Sequence, residues 1–108
     1  MNNRFYKGVH MEGLEAILTR RSVRKFQSKP VEDDKIISIL HAGMSAPSAH
    51  NSQPWEFIVV KNKEKISALS VFIKDWAPLR TAPLVIITLG NLEGYKASLP
   101  AFFVQDCS

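Results

Sequence analysis

Residues 46–60, "APSAHNSQPWEFIVV", change character at their middle. Pro47, Ser48, His50, Asn51, Ser52 and Pro54 make a stiff, polar, turn-forming half. A strand then starts on Trp55, where Trp55, Phe57 and Val59 alternate with Glu56, Ile58 and Val60. Both sets favour extended structure, which predicts a strand covered on both faces. A connection needs only a turn, and this loop carries more hydrogen-bonding capacity than a turn uses. Its bland reading is a proline-stiffened link whose Ser and Asn side chains satisfy their own backbone. The alternative is a wall of donors and acceptors, frozen between two prolines toward a flat, heteroatom-rich ligand.

Working outward, "KPVEDDKIISILHAGMSAPS" places an acidic first turn after Pro30. Ile36, Ile37, Ile39, Leu40 and Met44 follow on a broad apolar face, predicting a helix over 32–44 that Pro47 stops. Upstream, Met11, Leu14, Ile17 and Leu18 recur at helical spacing, predicting a first helix that ends near Arg20 with one stripe toward a core. Downstream of the strand, Asn62 is placed to cap a helix carrying Ile66, Leu69 and Ile73. "WAPLRTAPLVIITLG" reads as an irregular crossover through Pro78 and Pro83 into a second buried strand, closed by Gly90. "ASLPAFFVQDCS" begins like a helix and leaves Phe102, Phe103 and Val104 as a large apolar load. Two strands are too few for an independent sheet, so the missing strands must come from elsewhere.

Composition bounds the class. The chain has 108 residues, 45% apolar and 22% charged, which fits one globular domain with a modest core. Its net charge of +4 is mild and its basic residues are scattered, except in "RRSVRKF" at 20–26. That pattern favours a local anion site over a nucleic-acid surface, and no aromatic residues interleave those arginines as stacking on bases would require. The single cysteine, Cys107, allows no internal disulfide, and His10, His41 and His50 lack metal-ligand spacing. The longest apolar run is too short to span a bilayer and no signal-peptide order opens the chain, so a cytoplasmic protein is expected.

"RRSVRKF" itself has two readings. It can be a solvated basic turn that complements a helix C-terminus. In an extended stretch, however, Arg20, Ser22 and Arg24 alternate onto one side and present two guanidinium forks around a hydroxyl, which suits a phosphate monoester.

"RRSVRKF", then "APSAHNSQPWEFIVV", then "APLVIITLG" resemble, in order and spacing, the N-terminal half of the nitroreductase family of flavin-dependent oxidoreductases. The resemblance covers about residues 11–108 and implies an α+β fold, with residues 1–108 forming the N-terminal portion of a single domain. It implies FMN as cofactor, bound in clefts at the interface of an intertwined homodimer. NADH or NADPH would be the electron donor, and nitroaromatics, quinones or similar small molecules the acceptors. Arg20, Arg21, Ser22 and Arg24 then fall at positions that contact the FMN phosphate, ribityl chain and pyrimidine edge. Pro47, Ser48, Ala49 and Asn51 fall at positions that approach the flavin of the partner subunit. No catalytic side chain and no metal ligand is assigned, and neither nucleic acid nor membrane is an expected partner. Family chains are usually longer, with a central dimer helix that "FVQDCS" begins, a glycine-containing loop near flavin N5 and a basic C-terminal residue on the phosphate. A non-catalytic remnant serving as a flavin-binding or interaction module is the alternative to an active enzyme.

Overall fold

The computed structural model describes residues 12–74, 76–93 and 102–108. The helices are α1 (Gly13–Thr19), α2 (Asp33–Met44), α3 (Lys63–Phe72) and α4 (Phe102–Asp106), and the strands are β1 (Trp55–Val60) and β2 (Val85–Gly90). Short 3-10 turns lie at Ala49–Asn51 and Ala77–Arg80. Helices beside a small antiparallel sheet make the fold class α+β, as expected.

Local chemistry sets the element boundaries. Asp33 and Asp34 place negative charge in the first turn of α2, where the helix dipole favours it. The helix closes at Ser45, whose Oγ donates to the His41 carbonyl at 2.7 Å, and Pro47 follows two residues on. Asn62 caps α3, its side-chain oxygen accepting from the Lys65 N–H at 3.0 Å. Pro78 stands in the first turn of the second 3-10 segment, where its missing N–H leaves no bond unmade.

β1 and β2 pair antiparallel, with Trp55 opposite Gly90 and Val60 opposite Val85. The Asn91 N–H extends the ladder to the Pro54 carbonyl at 2.6 Å, and the Asn91 side chain donates to Glu56 Oε1 at 2.7 Å. α2 lies against β1 where Gly43 meets the Phe57 ring, since a Cβ there would stand 3.3 Å from Phe57 Cζ. Among the described residues, Ile36 of α2, Ile66 of α3 and Leu79 of the second 3-10 turn are the buried hydrophobics.

Several burial expectations are corrected. β1 is not covered on both faces: Glu56 is exposed and Ile58 is 46% exposed. β2 is half-buried over its first three residues and exposed over Thr88, Leu89 and Gly90. The stripe of α1 faces no core, with Leu14, Ile17 and Leu18 all more than half exposed. On α2 only Ile36 is buried, while Ile37, Ile39 and Met44 remain exposed. The physical reason is common to all four: two strands and these helices supply one layer of contact, and the second layer that these apolar faces fit is not among the described residues. The first helix starts at Gly13, and Met11 lies outside the described residues.

Candidate functional site

The arginine segment leaves α1 in extended backbone at Arg20 (φ −53°, ψ 137°), so the helix stops where the basic run begins. Arg20 Nη1 then reaches Ser22 Oγ at 3.4 Å, and Arg24 Nη1 reaches the Ser22 carbonyl at 3.4 Å. Two guanidinium groups thus approach one serine, but only that of Arg20 meets its hydroxyl, whereas that of Arg24 takes the backbone carbonyl. Arg21 turns the other way, donating to the carbonyls of Arg20 at 2.9 Å and Leu18 at 3.4 Å. Its fork satisfies the open end of α1.

All four side chains are exposed. Among the described residues the ion pairs are Lys35–Glu32 and Lys61–Asp33, and neither uses an arginine. The cations of this segment therefore keep their charge unmatched by any described carboxylate. Beyond it, the Phe26 N–H donates to Thr81 Oγ1 at 3.1 Å, tying the segment to the crossover before β2. A cleft of about 450 Å³ follows, lined by Ser22, Arg24, Trp76, Leu84 and Ile86. A larger one of about 550 Å³ also reaches Phe26 and is lined by Lys63, Ser67, Arg80 and Thr81, but it holds none of the eight candidate cofactor-binding residues.

The polar loop is tighter than its sequence indicated. The Asn51 N–H donates to the Ser48 carbonyl at 3.0 Å and the Ser52 N–H to the Ala49 carbonyl at 3.1 Å. Ser48 Oγ accepts from the Gln53 N–H at 3.0 Å, and Ser52 Oγ donates to the Ala49 carbonyl at 2.9 Å. Both serines thus serve the loop's own turn, so the excess of polar groups is smaller than the composition suggested. His50, Asn51 and Gln53 take left-handed backbone at φ 52°, 51° and 47°. Each such non-glycine residue costs roughly 1–2 kcal/mol relative to ordinary backbone. Asn51 is exposed and, among the described residues, its side chain makes no hydrogen bond that would divert it from a ligand. Pro47 is exposed, Ser48 and Ala49 are half-buried, and the Ala49 N–H donates to Asp106 Oδ1 at 3.0 Å.

The structure therefore brings Arg20, Ser22 and Arg24 together, and separately holds Pro47, Ser48, Ala49 and Asn51 in one loop. The cleft beside Arg24 contains no residue of that loop. Sequence reasoning missed the part of Asp106, which no spacing rule links to a loop 57 residues away. It also missed the left-handed run, for which Asn51 was the available signal, because Asn tolerates that region better than most residues. Among the described residues, no three His, Cys, Asp or Glu side chains gather as a metal site requires, and no helix is long and apolar enough to cross a membrane.

Helices on a small antiparallel sheet, with an arginine segment and a proline-framed polar loop ahead of β1, define the class as α+β. The chain belongs to the nitroreductase family, whose model matches residues 17–103. It is 43% identical over 98 residues to a Methanothermobacter thermautotrophicus protein provisionally named NADH dehydrogenase/NAD(P)H nitroreductase, covering 91% of this chain and 50% of that one. Among solved structures, it superposes with TM-score 0.76 and 36% identity on a protein of the same provisional name from Parabacteroides distasonis, over 87% of this chain and 54% of that one. A provisionally named nitroreductase from Exiguobacterium sibiricum, solved in complex with FMN, matches with TM-score 0.71 and 26% identity over 81% of this chain and 42% of that one. The chain spans about half the length of the curated relatives it matches.

Proposed function

We propose that this chain is the N-terminal portion of a single-domain, FMN-dependent oxidoreductase that works as a cytoplasmic homodimer. The observation that carries the reading is the pair of guanidinium groups converging on Ser22 with no described carboxylate to neutralise them. Such a doubly cationic cradle fits a phosphate dianion, because planar forks bind its oxygens bidentately. Arg20, Ser22 and Arg24 would hold the FMN phosphate, ribityl chain and pyrimidine edge, with Arg21 holding the end of α1 beside them. Bound FMN would supply the redox centre, accepting hydride from NADH or NADPH and passing electrons to a nitroaromatic, a quinone or a similar small acceptor. A guanidinium near the pyrimidine edge stabilises the negative charge that reduction places there.

The loop adds rigidity to this site. Asn51 offers its free amide to the flavin of the partner subunit, and Ser48, whose oxygen already accepts from Gln53, can still donate its own O–H. Pro47 and Ala49 contribute shape. The relatives' names support the NAD(P)H-linked chemistry, and the Exiguobacterium complex supports FMN. The exposed stripe of α1 fits burial against a second subunit.

Titration with FMN and with riboflavin, for wild type and Arg20→Ala, tests the proposal. Loss of a charge-assisted bond of about 1.5–3 kcal/mol should weaken FMN binding at least tenfold while riboflavin affinity barely changes. Equal losses for both ligands would remove Arg20 from the phosphate. FMN binding without oxidation of NADH or NADPH would favour a flavin-binding or interaction module.

A further inference from the structure

The bonds inside the polar loop all begin and end within residues 48–53, so they shape a small body without fixing it in the fold. What joins that body to another element upstream of Pro54 is the 3.0 Å bond from the Ala49 N–H to Asp106 Oδ1, in a half-buried setting. Ala49 opens the 3-10 turn Ala49–Asn51, and the first N–H groups of such a turn have no partner within it. A carboxylate there makes a charge-assisted bond, stronger and more directional than a neutral one.

α4, which carries Asp106, is itself seated. The Phe103 ring lies over Gly90, where a Cβ would come within 2.8 Å of its Cδ2, and Cys107 Sγ approaches the Leu89 carbonyl at 3.8 Å. Phe103 and Asp106 are three residues apart on a helix and so share a side of it. The end of β2 thus sets α4, and α4 delivers a fixed carboxylate to the loop.

We infer that Asp106 is the positioning residue of the loop: its carboxylate holds the Ala49 N–H, and through that bond the left-handed turn that presents Ser48 and Asn51. Its consequence for cofactor affinity rests on the flavin reading above, whereas the anchoring itself does not. Asp106 touches no cofactor in this scheme and acts only through the loop.

Amide hydrogen exchange at Ala49 is the test, followed by NMR in the ligand-free protein for wild type, Asp106→Asn, Asp106→Ala and the exposed control Gln105→Ala. Asp106→Ala should accelerate Ala49 exchange about tenfold or more, while Asp106→Asn, which keeps an acceptor oxygen, recovers most of the protection. Gln105→Ala should match wild type. FMN affinity should follow the same order, falling about tenfold in the alanine variant. Unchanged Ala49 exchange in Asp106→Ala, or equal exchange in the Asn and Ala variants, overturns the inference. FMN affinity that ignores Asp106→Ala although exchange has risen overturns the loop's part in the flavin site and leaves the anchor standing. Should Asp106→Ala fail to fold, a scalar coupling in wild type between the Ala49 amide nitrogen and the Asp106 carboxyl carbon decides the anchor, its absence overturning it. A wild type that binds no FMN refutes the flavin reading alone, and the exchange data still decide whether Asp106 holds the loop.

Discussion

Replacing Gly90 by Ala places a methyl group where the fold has left none. The new Cβ would stand 2.8 Å from Phe103 Cδ2 and 3.7 Å from Cys107 Sγ, so α4 and the residue that follows it meet it at two points four residues apart. Carbon atoms rest comfortably at about 3.5–4.0 Å, which obliges the Phe103 ring to retreat by roughly 0.7–1.2 Å. A ring rotation alone would leave a strained rotamer, at about 0.5–1.5 kcal/mol, and a displaced helix would cost about 1–3 kcal/mol as overpacking does elsewhere. Urea denaturation followed by circular dichroism measures the outcome. With a slope near about 1 kcal/mol per molar, as small domains show, the midpoint should fall by about 1–3 M if the helix moves and by about half that if only the ring turns. The two routes separate at Ala49: helix displacement also stretches the Ala49–Asp106 bond beyond hydrogen-bond range and speeds exchange there, whereas ring rotation does not. Gly13→Ala is the control, since a Cβ there meets nothing within 4 Å. A Gly90→Ala midpoint equal to wild type would show that Phe103 does not rest on Gly90 and that α4 is not seated as described.

Coexpressed Arg20→Ala and Asn51→Ala subunits, isolated as mixed dimers by distinct tags, should bind FMN better than either variant alone, since one of the two sites keeps both residues. Binding no better than the single variants would place both residues on one subunit's site or on none. Asn62→Ala should lower stability by about 0.5–2 kcal/mol through loss of the α3 cap, and Asn62→Asp should restore most of it, read as denaturation midpoints. Lys35 holds the Glu32 carboxyl below its ordinary range through a 2.9 Å ion pair, and Glu32 in turn raises Lys35. The carboxylate's contribution is present above the ordinary Glu value and lost as pH falls through its lowered one; the ammonium's is present below the ordinary Lys value and lost as pH rises through its raised one. Because both groups are exposed, Lys35→Gln should return the Glu32 titration toward the ordinary value by NMR while leaving the neutral-pH midpoint nearly unchanged.

Much of the local structure was legible because its causes are local. The Pro30–acid–isoleucine pattern places α2 within a residue of Asp33–Met44, and Asn62 caps α3 as its position before a helical pattern requires. The family resemblance carried the fold class further than periodicity could, since two strands alone specify no sheet. Burial was misread for a physical reason: periodicity shows which side of Leu14, Ile17 and Leu18 is apolar, but not whether a second layer stands there to cover it. Within the candidate site, the nearness of Arg20 and Arg24 to Ser22 was readable from extended-chain geometry, but not that Arg24 would take the backbone carbonyl in place of the hydroxyl. The use of Ser48 and Ser52 by the turn itself, and the carboxylate of Asp106 at Ala49, depend on three-dimensional closure and left no trace in spacing.

The Ala49–Asp106 bond also sets an order of events in the life of the chain. Its partners are separated by 57 residues, so the donor leaves the ribosome well before its acceptor exists. At about 5–20 residues per second of synthesis, the loop waits roughly 3–11 s for that carboxylate. During that interval its left-handed turn has only its internal bonds to hold it, and β1 has no β2 beside it to fix the Pro54 end. The contacts of Arg20 and Arg24 with Ser22, by contrast, lie within five residues of chain, although the Phe26 end of the segment still waits for Thr81. In the nascent protein, the contacts of Arg20 and Arg24 with Ser22 can thus form before the loop gains its Asp106 anchor.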